Sequence, residues 1–159
     1  MGNQQAKVTD IEYGWVAGFF DGEGSIIISI RSNRNKKLKN QKLQPACVIV
    51  ATDPASFDRM HTILERAGLA HHVSWSRPPG TMVSGQPYRL AWRIAIVGLS
   101  RTERFLSWLM PALSTKQERA AVCLEYIRQR RTHSDPRTPI TDDEIALALK
   151  MRELNASKK

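Results

Sequence analysis

The chain has 159 residues, of which 42% are hydrophobic and 25% charged, enough for one domain with an ordinary core and too few for two. Its 24 Lys and Arg against 15 Asp and Glu leave a net charge of +9, which points to an anionic partner, either nucleic acid or a membrane surface. No apolar run approaches the ~18 residues of a membrane span, the N-terminus MGNQQAKVTD lacks a signal-peptide segment, and Cys47 and Cys123 are too isolated for a disulfide framework or a zinc site. Integral membrane proteins and secreted disulfide scaffolds are thereby excluded, and a soluble intracellular protein is expected.

The first predicted element is a helix over 10–22, opened by Thr9 with Glu12 at capping-box spacing. Gly14, Gly18 and Gly22 fall at i, i+4 and i+8, with Ala17 beside Gly18, leaving a strip almost without side chains. An internal glycine costs about 1 kcal/mol against alanine, so the strip implies close approach of another backbone, as in small-xxx-small helix pairs. No other segment offers a matching strip. The preferred reading is the same helix in a second subunit, a twofold homodimer through Gly14, Ala17 and Gly18; a tight crossing within the chain is the alternative.

At the end of this helix stand Asp21 and Glu23, where the helix dipole disfavours carboxylates by a few tenths to about 1 kcal/mol. Two copies brought together by pairing would repel unless a cation lay among them, and Mg²⁺ takes oxygen ligands together with waters and phosphates.

Strands are predicted over 25–31, 42–51, 72–77 and 88–96 from period-two or β-branched character. Helices are predicted over 54–67, started by Asp53–Pro54 and stopped at Gly68, and over 101–109, 114–131 and 141–155. Ser100 with Glu103, Ser114 with Gln117 and Thr141 with Glu144 supply the capping spacings of the last three. The order is αββαββ followed by helices.

In the last strand Leu90, Trp92, Ile94 and Ile96 share one face, and Arg89, Ala91, Arg93 and Ala95 the other. Residues 24–52 and 66–102, which hold all four strands, contain eleven Arg and Lys and no Asp or Glu. A sheet with helices on one face and an acid-free basic second face suits a groove for a phosphate-rich double helix, whereas a merely solvated surface intersperses both signs. Strand parity places Ser29, Arg31, Gln44, Arg77, Arg89 and Arg93 on the nucleic-acid side.

The connection SNRNKKLKNQ carries Asn33, Arg34, Lys36, Lys37 and Lys39, with Lys42 just beyond it. These side chains can grip phosphates or pair with base edges, extending the sheet's reach; a mobile polar loop is the plainer alternative. PPGTMVSGQP reads as a second exposed loop. The segment 128–139 reads as a polar linker before the last helix, its Arg128, Arg130 and Arg131 reaching phosphates or solvated. There is no internal repeat.

VAGFFDGEG, Val16 to Gly24, resembles the nine-residue signature of the LAGLIDADG homing endonucleases, matching at Ala17, Gly18, Asp21, Gly24 and the acidic Glu23. Together with the αββαββα order, the basic sheet and the length, the resemblance covers nearly the whole chain. One motif without a repeat is similar to the homodimeric class. The resemblance implies an α+β fold in which an antiparallel four-stranded saddle sheet sits on double-stranded DNA. It implies a metal-dependent endodeoxyribonuclease that hydrolyses both strands of a long pseudo-palindromic site and leaves 3′ overhangs.

By the same resemblance Glu23 binds the divalent metal, Mg²⁺ with Mn²⁺ as a substitute, and the Gly22 carbonyl is a second ligand. Asp21 fills the family's other acidic position. LSTKQERA, Leu113 to Ala120, resembles the segment carrying a catalytic lysine, with Lys116 at the matching place; a solvated lysine is the alternative. Asp53 aligns with a polar residue that orders active-site water in relatives, although an N-cap before Pro54 also accounts for it. The competing expectation is an RNA-binding maturase that helps its host intron RNA fold without cutting DNA. The host compartment is left open between bacterial or phage cytoplasm and an organelle.

Overall fold

The computed structural model describes residues 7–31, 42–77, 82–83, 86–87 and 90–157 of the chain. Thr9 starts α1 (Asp10–Glu23) as its spacing predicts: its hydroxyl accepts the Glu12 N–H at 3.2 Å, and the Glu12 carboxylate accepts the Thr9 N–H at 2.9 Å. Val16, Ala17 and Phe20 give α1 its buried face. The helix stops at Gly24, where a Cβ would lie 2.3 Å from the Phe20 ring and 2.6 Å from the Phe20 carbonyl oxygen, so only glycine lets helix and strand meet this closely. Gly24→Ala should therefore lower the unfolding free energy by about 1 to 3 kcal/mol through overpacking, read as a shifted midpoint in urea.

From Gly24 the chain runs into β1 (Gly24–Arg31), then β2 (Lys42–Ala51), α2 (Pro54–Arg66) and β3 (His72–Arg77). A short hairpin, β4 (Met82–Val83) with β5 (Gln86–Pro87), precedes β6 (Ala91–Val97), α3 (Leu99–Leu109), α4 (Gln117–Arg131) and α5 (Asp142–Ala156). β1, β2, β6 and β3 form an antiparallel four-stranded sheet in that order. Ile26, Ile28, Cys47, Ile49, Ile94 and Ile96 turn one face of it into a core shared with Phe20, Met60, Leu64, Phe105 and Cys123. Trp15, Trp92 and Trp108 pack against this core. The result is the α+β, αββαββα architecture, with a final helix whose Asn155 amide donates to the Ile26 carbonyl on edge strand β1 at 2.9 Å. No helix among the described residues is long and apolar enough to cross a membrane.

Several sequence expectations need correction. The last strand runs over 91–97 with Leu90 outside it, positions 88 and 89 lying outside the described residues, and a small hairpin occupies part of PPGTMVSGQP. Ser100 does not cap α3, because the turn out of β6 falls at Gly98, whose φ of +100° takes the chain straight into the helix. Ser114 does not cap α4, because its hydroxyl is drawn to Asp21 instead.

The arginines at the basic end of α4 have partners within the chain. Arg128 pairs with Glu125, Arg131 with Glu103, and Arg130 with the fully buried Glu144 while donating to the carbonyls of Pro136 and Thr138. The Arg130 contacts tie the segment between α4 and α5 to the end of α4.

Candidate active site and nucleic-acid interface

The end of α1 and the start of α4 exchange charges. Asp21 Oδ2 accepts from the Ser114 N–H at 2.6 Å and the Ser114 hydroxyl at 3.0 Å; Oδ1 accepts from the Thr115 hydroxyl at 3.1 Å, the Thr115 N–H at 3.2 Å and the Lys116 N–H at 3.1 Å. Burial alone would push this carboxyl up, but the donors from Ser114, Thr115 and Lys116 outweigh it and hold Asp21 below the usual carboxylate range. In return the Lys116 ammonium donates to the Asp21 carbonyl and lies 5.9 Å from the Phe20 ring centroid.

The cation that a helix C-terminus favours thus arrives from across the chain, and the anion that a helix N-terminus favours arrives from α1. Asp21 is therefore not misplaced for local stability, its carboxylate being filled by donors of its own chain. The solvated alternative for Lys116 is overturned, the residue being only 1% exposed.

Glu23 is placed differently. It is the exposed last residue of α1 and lines a cleft of about 390 Å³ with Phe19, Val50, Thr52, Asp53 and Ser56. Asp53, singled out separately in the sequence, thus shares a cleft with Glu23. Its Oδ2 accepts from the Ser56 N–H at 2.9 Å and the Ser56 hydroxyl at 2.7 Å, bonds that cap α2 and hold its carboxyl below the ordinary range.

Among the described residues no three of His, Cys, Asp and Glu converge on a metal position. Glu23 and the Gly22 carbonyl, one of the last four in α1 and so without an intrahelical partner, are nevertheless oxygen donors of the kind Mg²⁺ takes. They fit part of a coordination sphere, to be completed by water, by phosphate or by a second copy of the helix.

Gly14, Gly18 and Gly22 are exposed, and a Cβ on any of them would meet nothing within 4 Å. Among the described residues nothing therefore supports the alternative of a tight crossing within the chain. Ile11, 80% exposed, continues the same strip one turn earlier. Ala17 does not belong to it: at 2% exposure it packs in the protomer core, one helical step round from Gly18, which corrects its assignment to a dimer contact.

Cross-strand register defines the face of the sheet turned away from the core. Arg31 pairs with Lys42, Ser29 with Gln44, Val50 with Arg93, and Arg93 with Ser74. Arg31 and Lys42 are exposed, whereas Ser29, Gln44 and Arg93 are half-buried, the Ser29 hydroxyl donating to the Gln44 carbonyl at 3.2 Å. Arg77 pairs with Ala91 beside a register shift in β3. Asn33, Arg34, Lys36, Lys37, Lys39 and Arg89 lie outside the described residues. Val50 belongs both to this face and to the cleft of Glu23, so the cleft opens at one end of the open face.

Sequence reasoning missed Ser114 and Thr115 as the donors that fix Asp21; the acid at the end of α1 was one half of that signal, and Ser114, read as a cap, hid the other. It also missed the apolar residues between the two polar ends of the open face.

No protein-family model matches the chain, and no curated protein gives a significant sequence match. Solved structures do match. The homing endonuclease I-CvuI, determined in complex with its target in the presence of Ca²⁺, superposes with a TM-score of 0.66 at 22% identity over 94% of this chain and 85% of that one. The group I intron-encoded homing endonuclease I-CeuI, complexed with DNA, gives 0.68 at 14% identity over 97% and 72%. The homing endonuclease I-TnaI gives 0.58 at 17% identity over 92% and 99%. The chain has the fold of the LAGLIDADG homing endonucleases.

Proposed function

We propose that this chain is a site-specific DNA endonuclease that works as a homodimer on a long pseudo-palindromic double-stranded site and hydrolyses both strands. The observation that carries this reading is the shared edge of two features: the exposed Glu23 lines a cleft with Val50, and Val50 stands next to Arg93 on the sheet face turned away from the core. Arg31, Lys42 and Arg93, with the basic residues of the 32–41 segment, supply charge for phosphates, while Ser29, Gln44 and Arg77 supply groups able to read base edges.

Glu23 and the Gly22 carbonyl would hold Mg²⁺ or Mn²⁺, which when bound activates water and offsets charge on the scissile phosphate. Asp21 and Lys116 act as positioning residues, fixing the end of α1 against α4 so that Glu23 keeps its place. A twofold pairing of α1 would set two copies of Glu23 on phosphates offset across one minor groove, giving staggered ends with 3′ overhangs.

Selection of cleaved sites from a randomised DNA pool with Mg²⁺ tests the reading. A recovered site with twofold symmetry is the expected result. If nothing is cut with Mg²⁺ or Mn²⁺ while the chain binds its host intron RNA, the maturase reading replaces this one.

The dimer has its own test. Because the space around Gly18 is open within the protomer, Gly18→Leu should fold and even gain about 0.5 to 1 kcal/mol of helix propensity. On the paired helices the same leucine would be a wedge. Sedimentation should show a monomer of undiminished thermal stability; an intact dimer places the interface elsewhere.

A further inference from the structure

The open face of the sheet is not basic throughout. Ile27 pairs with Ala46 and Ala46 with Val97; Val48 pairs with Ala95; Val50 follows on the same face one row further along. Paired residues share a face, so these six side chains form an apolar belt at the centre of the open face, its Val48–Ala95 row flanked by exposed Ser25 on β1 and His72 on β3. Polar groups stand at either end, Ser29, Gln44, Arg31 and Lys42 on one side and Arg93 and Ser74 on the other. Val50 is 38% exposed, and Ile27, Val48 and Val97 are half-buried, so these four present the belt's surface, with Ala46 and Ala95 buried at 5% and 7% as the floor between them.

We infer, resting on the endonuclease reading above, that this belt reads thymine 5-methyl groups in the major groove, so that each half-site carries thymines between two stretches read by polar side chains. The charge at both ends of the belt and the net charge of +9 select a polyanion as its occupant over an apolar protein surface. Within the major groove the base edges offer acceptors, amino donors and one apolar feature, the thymine methyl. Alanine, valine and isoleucine cannot hydrogen-bond a base edge, and the thymine methyl gives them an apolar contact that a guanine–cytosine pair lacks.

Length agrees. Three rows two residues apart span about 14 Å at ~3.4 Å per residue, or about four base pairs at ~3.4 Å per step. The belt also adjoins the cleft of Glu23 through Val50, so the thymines belong to the part of the half-site nearer the cut.

The test is binding, measured by gel shift in Ca²⁺ on a site recovered by selection, with each thymine in turn replaced by deoxyuridine. This change deletes only the methyl group. Replacement at contacted positions should weaken binding by about fourfold each, with no change at positions facing the polar ends. Val48→Thr and Val50→Thr, which keep the β-branched shape but place a hydroxyl at the surface, should lose the preference for thymine over uracil. A bound site indifferent to every uracil replacement overturns the inference, even if the valine variants fail to fold. A chain that binds no DNA site at all overturns the endonuclease reading instead.

Discussion

Replacing Glu23 with glutamine should stop cleavage while sparing binding of the site. Glu23 is exposed at the last position of α1, outside the core and outside the Asp21 network, so the substitution removes a charge without removing a packing contact. Its carboxylate stands where the helix dipole disfavours it, and neutralising it should raise protomer stability by a few tenths of a kcal/mol. A carboxylate retained against the dipole fits a ligand better than a structural role.

Removing the anionic ligand forfeits several kcal/mol of charge stabilisation at the transition state, so the cleavage rate should fall by about a thousandfold. Binding rests on the sheet and should persist or tighten as repulsion with phosphate is relieved. Nicking and gel-shift assays run side by side, the first in Mg²⁺ and the second in Ca²⁺, separate the two functions. Cleavage at the parent rate would remove Glu23 as the metal-binding group. Asp53 is a weaker probe of the same cleft, because losing the α2 cap would itself cost about 1 kcal/mol and blur any change in rate.

What could be read from the sequence was what local spacing encodes. The boxes at Thr9 with Glu12 and at Thr141 with Glu144 form as written, since both partners lie within one turn. Asp53–Pro54 likewise starts α2. Where a partner comes from far along the chain, spacing misleads: Ser114 has the spacing of a cap, yet it serves an aspartate 93 residues earlier.

The open face was legible in its charges and illegible in its middle. Ile26, Ile27 and Ile28 run together, so their own hydrophobicity does not say which face the core; the parity that turns Ser29 and Arg31 outward also turns Ile27 outward, and burial of Ile26 and Ile28 agrees. Ala17 and Gly18 are adjacent in the sequence but about 100° apart around the helix, and that rotation separates a core residue from an open strip.

The second large effect is expected at Asp21, where the outcome is loss of stability rather than of chemistry alone. Its two oxygens accept five donors, three of them backbone N–H groups at the start of α4. Asparagine keeps the shape but turns an amide toward donors that need an acceptor, so Asp21→Asn should cost about 2 to 3 kcal/mol and Asp21→Ala as much or more.

The carboxyl titrates lower in the folded chain than in the unfolded one, so its contribution is fully present above the unfolded carboxylate range. It is lost as pH falls through the folded value. The stability gap between parent and Asp21→Asn should accordingly be widest at neutral pH and close in acid. Urea unfolding across that range, with cleavage assayed where both proteins remain folded, measures it. A variant as stable as the parent at neutral pH, or a gap that ignores pH, would mean that the Asp21 network does not hold α1 to α4. With the network lost but the fold intact, cleavage should fall as Glu23 loses its placement, in contrast to the Glu23→Gln protein, which loses cleavage at undiminished stability.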